Sequence, residues 1–237
     1  MTKPETALAP FAKTMLAEMG YDVRSELMHV DLVGRDSDGL FHAVELKKNF
    51  GLDVINQGIR SQTWAGLASI VVPAPNKNGY KKTQEWKRLC LRLNIGLYVV
   101  EGLTQGTEEA TIRLIAAPKR IHNGRIKKCL EKEFSGRSED LNVGGSTGVV
   151  LYTAYTEKAC KIARYFLDQC LSSGINTALL SRNVAEKVGI PAARTNNILY
   201  SNVFGWYQKG GRGCYSLDAS NILDDKSLDK IEKVTGP

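Results

Sequence analysis

The residues best suited to chemistry sit near the start of the chain. Asp31 lies in one short strand-like run, and Glu45-Leu46-Lys47 ends the next. Side chains alternate along a strand, so Glu45 and Lys47 share one face while Leu46 takes the other. With an ordinary hairpin register, Asp31 stands across from them. Two carboxylates so placed would hold a hard divalent cation through oxygen, with an ammonium beside it. Metal-assisted phosphodiester hydrolysis needs this set, because the cation lowers the pKa of water and neutralises phosphorane charge. An acid-x-Lys triplet alone is commonly a solvated surface pattern. Here it interrupts an apolar run, Ala43-Val44-Glu45-Leu46, where a charge is costly unless paired or bound to metal.

Neighbouring polar residues carry weaker readings. Glu26, five positions before Asp31, is either an outer-shell acid or an ordinary strand or turn acid. His29 is read as a same-face strand neighbour of Asp31, more ordinary than catalytic, while His42 and His122 have no partner at ligand spacing. Lys48 faces away from Lys47 on an ideal strand and is better suited to steering phosphate. Trp64 and Trp86 are read as core.

These residues need a scaffold, and the hydrophobic pattern supplies one. Leu8, Phe11, Ala12, Met15, Leu16 and Met19 recur at helical spacing from Glu5 to Met19, and Gly20 stops the helix. Strands are expected at Asp22–Leu27, His29–Gly34 and Leu40–Lys47, the last two joined by the turn formers of Arg35–Gly39. A helix is expected over Asp53–Leu67, then a strand at Ala68–Val72, a helix at Lys81–Leu93, and strands at Gly96–Val100 and Ala110–Ala116. Residues 1–117 therefore read as an α/β domain with a mixed sheet.

Residues 118–148 read as a basic connector containing Arg125, Lys127, Lys128 and Arg137 and ending in Gly144-Gly145-Ser146-Thr147-Gly148. Residues 149–217 hold three helical patterns, at Glu157–Leu171, Leu180–Val188 and Ala192–Val203. Two short strands follow around the cationic turn 208–213. Three helices and a hairpin make a winged-helix-like module, with Arg194, Thr195, Asn196 and Asn197 as base or phosphate contacts and Lys209 and Arg212 as phosphate contacts. A protein-binding winged helix is the competing reading. Residues 218–237 are left as a C-terminal tail.

Composition agrees with a globular chain. It has 237 residues, 43% hydrophobic and 24% charged, with net charge +7 and a pI near 9.1. Residues 1–117 carry 14 Lys/Arg against 13 Asp/Glu, whereas residues 118–217 carry 15 against 7, so the polyanion-seeking charge belongs to the middle and back. No apolar run approaches the roughly 20 residues of a membrane span. The opening residues lack an apolar signal core, and the expected location is cytoplasmic. Five cysteines without a Cys-x-x-Cys pair fit reduced thiols.

The same residues resemble the PD-(D/E)XK nuclease superfamily. Asp31 matches its first acid and Glu45-Leu46-Lys47 its triplet, while Glu5 matches a helical acid and Gln57 a glutamine at the nucleic-acid face. Val30 stands where the superfamily's name has proline, a variable position. The chain is more closely similar to a bacterial family of PD-(D/E)XK-type phosphodiesterases without an established substrate. The matching stretches are Gly20-Tyr21, Val44–Lys47, Gln57-Gly58, Val72–Pro75, Gly144–Thr147, Thr153–Tyr155, Gly205–Tyr207 and Gly211–Tyr215. The resemblance implies a restriction-endonuclease-like fold and a DNA endonuclease dependent on Mg2+ or Mn2+. By analogy it also implies a possible homodimer. The alternative is a non-catalytic DNA-binding regulator on the same fold.

Overall fold

The computed structural model describes residues 5–75, 79–103, 110–121, 128–146 and 151–236. It divides into two units, Met1–Leu151 and Tyr152–Pro237.

The first unit is built on a six-stranded sheet with β1 (Asp22–Leu27), β2 (Val30–Arg35), β3 (Phe41–Leu46), β4 (Leu67–Pro73), β5 (Gly96–Glu101) and β6 (Thr111–Ala116) side by side in chain order. β1, β2 and β3 pair antiparallel, β3, β4 and β5 parallel, and β6 antiparallel to β5. Every residue of β3 is buried, as expected of a strand covered on both faces. On one face, a 3-10 turn at Glu5–Leu8 leads into α1 (Ala9–Glu18). Leu8, Ala12 and Leu16 pack there on Leu32, Val44, Leu46, Val71 and Val100. On the other face, α2 (Leu52–Ser61) and α3 (Gly79–Leu93) bring Val54, Ile55 and Cys90 onto Ile70, Val72, Leu97 and Val99.

Local chemistry sets the joins. Between β2 and β3, Asp36 accepts the N–H groups of Asp38 (3.0 Å) and Leu40 (2.8 Å), and Gly39 supplies a φ of +79°. Between β1 and β2, Met28 and His29 both take positive φ, 51° and 68°, in a two-residue turn. His29 is therefore an exposed turn residue and not a strand neighbour of Asp31. α2 stops at Ser61, six residues short of the expected end. The parallel ladder needs Leu67 beside His42, and Trp64 and Ala65 turn into the core on the way.

His42 is fully buried, and its Nε2 lies 2.8 Å from Ser69 Oγ across the β3–β4 pair. Burial pushes its pKa down to about 4. The unfolded chain takes up this proton near pH 6.5 while the folded chain does not. The neutral-histidine contribution is thus complete above pH 6.5 and is lost as pH falls from there toward 4. Urea unfolding across this window should show wild type losing about 3 kcal/mol relative to His42→Gln. Parallel curves for the two proteins would refute the assignment.

The described part of the basic connector packs into the first unit. Ile121 donates to Gly66 O (2.8 Å), and α4 (Lys128–Ser135) buries Leu130 and Phe134 against Phe41, Ala43 and Trp64. Arg137 is 5% exposed, which corrects its reading as connector charge. Its guanidinium donates to Ser25 O (2.9 Å), Glu26 O (3.1 Å) and Glu133 (3.0 Å), so the buried charge is saturated with acceptors.

The second unit contains α5 (Ala154–Ser173), β7 (Leu179–Leu180), α6 (Ser181–Val188), α7 (Ala192–Ser201), β8 (Tyr207–Gly211), β9 (Cys214–Leu217), α8 (Ala219–Ile222) and α9 (Asp225–Thr235). Thr153 caps α5 by accepting from Thr156 N–H (3.2 Å), and Gly174 and Gly189 end α5 and α6 with φ of 67° and 71°. The three strands form an antiparallel sheet in the order β7-β9-β8. Ile162, Phe166, Val184, Ile198, Trp206 and Leu217 form its core. The stretch read as a tail joins that core, because Ile231 of α9 is buried in it and Ser227 accepts the Trp206 indole N–H (2.9 Å). No helix among the described residues is long and apolar enough to cross a membrane.

Candidate active site

Asp31, Glu45, Lys47 and Glu5 converge where β2 begins and β3 ends. The register that pairs Leu32 with Val44 sets Asp31 opposite Glu45 one residue further on. The Leu46 N–H donates to Asp31 Oδ2 at 2.6 Å, which fixes the carboxylate against the triplet's backbone. Glu45 is 3% exposed and accepts from Ser61 Oγ of α2 (3.2 Å). Lys47 leaves the sheet just beyond β3, with its N–H on Val71 O (3.1 Å) and its ammonium on Glu5 Oε2 (3.1 Å). Gln57, in α2, is half-buried. Its Oε1 is buried without a hydrogen-bond partner among the described residues, and no hydrogen bond ties it to the four.

The electrostatics follow from burial. Desolvation, with the Asp31 charge adding to it, pushes Glu45 up to about 7. Asp31 is also raised by desolvation, against the opposing pull of the Leu46 N–H and the Lys47 charge. For Lys47, burial disfavours the ammonium, but the Glu5 hydrogen bond and the charges of Asp31, Glu5 and Glu45 outweigh it and raise its pKa. The lysine is held protonated, while the two acids face each other at a cost that a cation would remove.

The donor chemistry limits which cation fits. Among the described residues, no three or more His, Cys, Asp or Glu side chains are arranged to hold an ion. A pair of carboxylates suits Mg2+ or Mn2+, which keep water and take up substrate phosphate. It does not suit a metal caged wholly by protein.

Glu26 received too little weight in the sequence. It is 9% exposed, and the pairs Ser25–Leu32 and Leu27–Val30 bracket it opposite Asp31. Burial raises its pKa, and Ser146 N–H donates to its Oε1 at 3.0 Å. The available signal was the two-residue turn Met28-His29, which sets that register.

In the second unit, the candidate nucleic-acid contacts separate. Asn196 and Asn197 are exposed on α7, and Lys209 and Arg212 are exposed on the β8–β9 hairpin. Arg194 is half-buried, with its guanidinium 5.5 Å from the Tyr155 ring centroid. Thr195 is fully buried and donates to Ile190 O (3.3 Å), which removes it from the contact set. Tyr200, missed in the sequence, is 70% exposed on α7, with the Lys209 ammonium 5.8 Å from its ring. Arg125 and Lys127 lie outside the described residues, as does the side chain of Lys128.

Of the thiols, Cys90, Cys160, Cys170 and Cys214 are free, and burial pushes Cys90 and Cys160 up to about 12, which leaves both inert. No curated protein and no solved structure matches the chain. A family model does match, over residues 103–221, half of the chain; this stretch begins beyond the Asp31–Lys47 site and runs through α4, residues 137–146 and most of the second unit. The chain belongs to the family described as "Putative PD-(D/E)XK phosphodiesterase" (DUF2161).

Proposed function

We propose that the protein is a divalent-metal-dependent DNA endonuclease. The observation that carries this reading is Asp31 opposite Glu45, fixed by the Leu46 N–H, with a protonated Lys47 beside them. Asp31 and Glu45 would hold Mg2+ or Mn2+, which when bound supplies a more acidic water and charge neutralisation at phosphorus. Lys47 keeps its proton and sets an ammonium against a non-bridging phosphate oxygen or the incoming water. Glu5 orients that ammonium through its 3.1 Å hydrogen bond. Gln57 offers from α2 an amide oxygen that is unpaired among the described residues. A non-catalytic DNA-binding regulator would have no use for a complete acid-acid-lysine set at a desolvation cost. The test is cleavage of supercoiled, linear, branched and single-stranded DNA with Mg2+ or Mn2+.

The second unit would place the substrate. The order helix, strand, two helices and hairpin over 154–217 supports a winged-helix reading. In this reading α7 presents Asn196, Asn197 and Tyr200 to a groove, with Arg194 at its start. The β8–β9 wing brings Lys209 and Arg212 to phosphate, and Arg125, Lys127 and Lys128 add charge in the preceding segment. Lys209→Ala and Arg212→Ala should each weaken binding equally for unrelated sequences, and each should lower the slope of log K against log salt by about 1. Unchanged slopes in the double variant would remove the wing from the interface.

A further inference from the structure

Three carboxylates stand in a row across adjacent strands: Glu26 on β1, Asp31 on β2 and Glu45 on β3. Like charges directly opposite one another destabilise a sheet, and here Glu26 and Glu45 are also buried, with Asp31 half-buried between them. Glu26 has a φ of 52°, an uncommon conformation for a residue with a side chain. Such a residue persists only where its surroundings over-determine it.

The surroundings are residues 137–146. Arg137 holds the backbone carbonyls of Ser25 and Glu26 (2.9 and 3.1 Å). Asp140 accepts from Ser25 N–H (2.7 Å), Ser25 Oγ (2.9 Å) and the Lys13 ammonium of α1 (2.7 Å). Gly144 lies so close to β2 that a Cβ there would come within 2.8 Å of Asp31 O. Gly145 has a φ of 76°, and a Cβ on it would meet Glu5 Cβ at 3.1 Å and the Glu5 carbonyl carbon at 3.2 Å. Ser146 donates its N–H to Glu26 at 3.0 Å, and its hydroxyl lies 3.4 Å from the same oxygen. Residues 137–146 are therefore hydrogen-bonded to Glu26 and packed closely against Glu5 and Asp31. The two glycines allow that approach.

We propose that residues 137–146 are a strap belonging to the active site, in which Gly145 and Ser146 are positioning residues that hold Glu26 as an outer acid of the cation site. The proposal rests on the nuclease reading. Glu26 would act through its charge on Asp31 and Glu45, adding to the negative potential that favours a divalent cation there, while Asp31 and Glu45 would hold the ion. The strap lies inside residues 103–221, so the half of the chain that carries the family match contributes directly to a site whose Asp31 and Glu45-x-Lys47 lie outside it.

The test is Mn2+ binding to the full chain by calorimetry, without DNA, for wild type, Glu26→Gln, Glu26→Asp and Gly145→Ala, alongside the Mg2+ dependence of cleavage. Glu26→Gln keeps the acceptor for Ser146 and removes the charge. It should weaken Mn2+ about fivefold or more and raise the Mg2+ half-saturation equally, with KM for DNA unchanged. Glu26→Asp should recover part of this loss. Gly145→Ala should show the same shift; if it fails to fold, Glu26→Gln still decides. Wild-type Mn2+ affinity in Glu26→Gln overturns the proposal and leaves the nuclease reading standing. A wild type that neither binds Mn2+ nor cuts DNA overturns both.

Discussion

Glu45→Gln will abolish cleavage and at the same time make the metal-free protein more stable. Glu45 is 3% exposed, faces Asp31 and receives one hydrogen bond, from Ser61. The Lys47 charge offsets only part of the burial and of the Asp31 repulsion, so an isosteric neutral amide removes a desolvation cost and a like-charge repulsion together. In chelator at pH 8, the thermal midpoint should rise by about 5 °C, from roughly 2 kcal/mol at 2–4 °C per kcal/mol for a chain of this size. Added Mg2+ should then stabilise wild type and leave Glu45→Gln unmoved. A variant that melts below wild type in chelator would mean that Glu45 holds the fold together and is not kept for function at the fold's expense.

The second large effect is on rate. Lys47→Ala should lower kcat by about a thousandfold, the usual scale for losing a preorganised charge at a developing oxyanion. KM for DNA should stay near wild type, because the lysine is one cation among many that meet the polymer. Glu5→Gln should cost less, roughly tenfold, since it leaves the ammonium in place and removes only the partner that orients it. If Glu5→Gln cost more than Lys47→Ala, Glu5 would be acting on the reacting atoms themselves.

Much of this site was legible in the residues. Charge inside an apolar run marked Glu45, and strand alternation with a turn-former hairpin set Asp31 across from it; the Leu32–Val44 register bears out that geometry. The order of the strands and helices in the first unit followed from hydrophobic period and turn chemistry. What could not be read depends on contacts between residues far apart in the chain. Glu26 becomes part of the acid row only through a positive-φ turn at Met28-His29 and through Ser146, 120 positions later. Arg137 looked like free charge because its acceptors are backbone carbonyls of β1, which no side-chain pattern records. Thr195 looked like a base contact because it stands with Arg194, Asn196 and Asn197 at the start of α7, residue types that reach bases or phosphate, yet helical rotation turns it inward beside Ile198 and Leu199. α2 ended early because strand pairing at Leu67 outranks helical periodicity.

The most direct measurement is conversion of supercoiled DNA to nicked or linear product by purified protein as Mg2+ or Mn2+ is titrated, with Asp31→Asn and Lys47→Ala beside wild type. The account predicts cleavage by wild type that requires the metal and is restored after chelation by adding it back, with neither variant cutting above background. Cleavage that survives chelation, or that Lys47→Ala and Asp31→Asn perform as well as wild type, would contradict it.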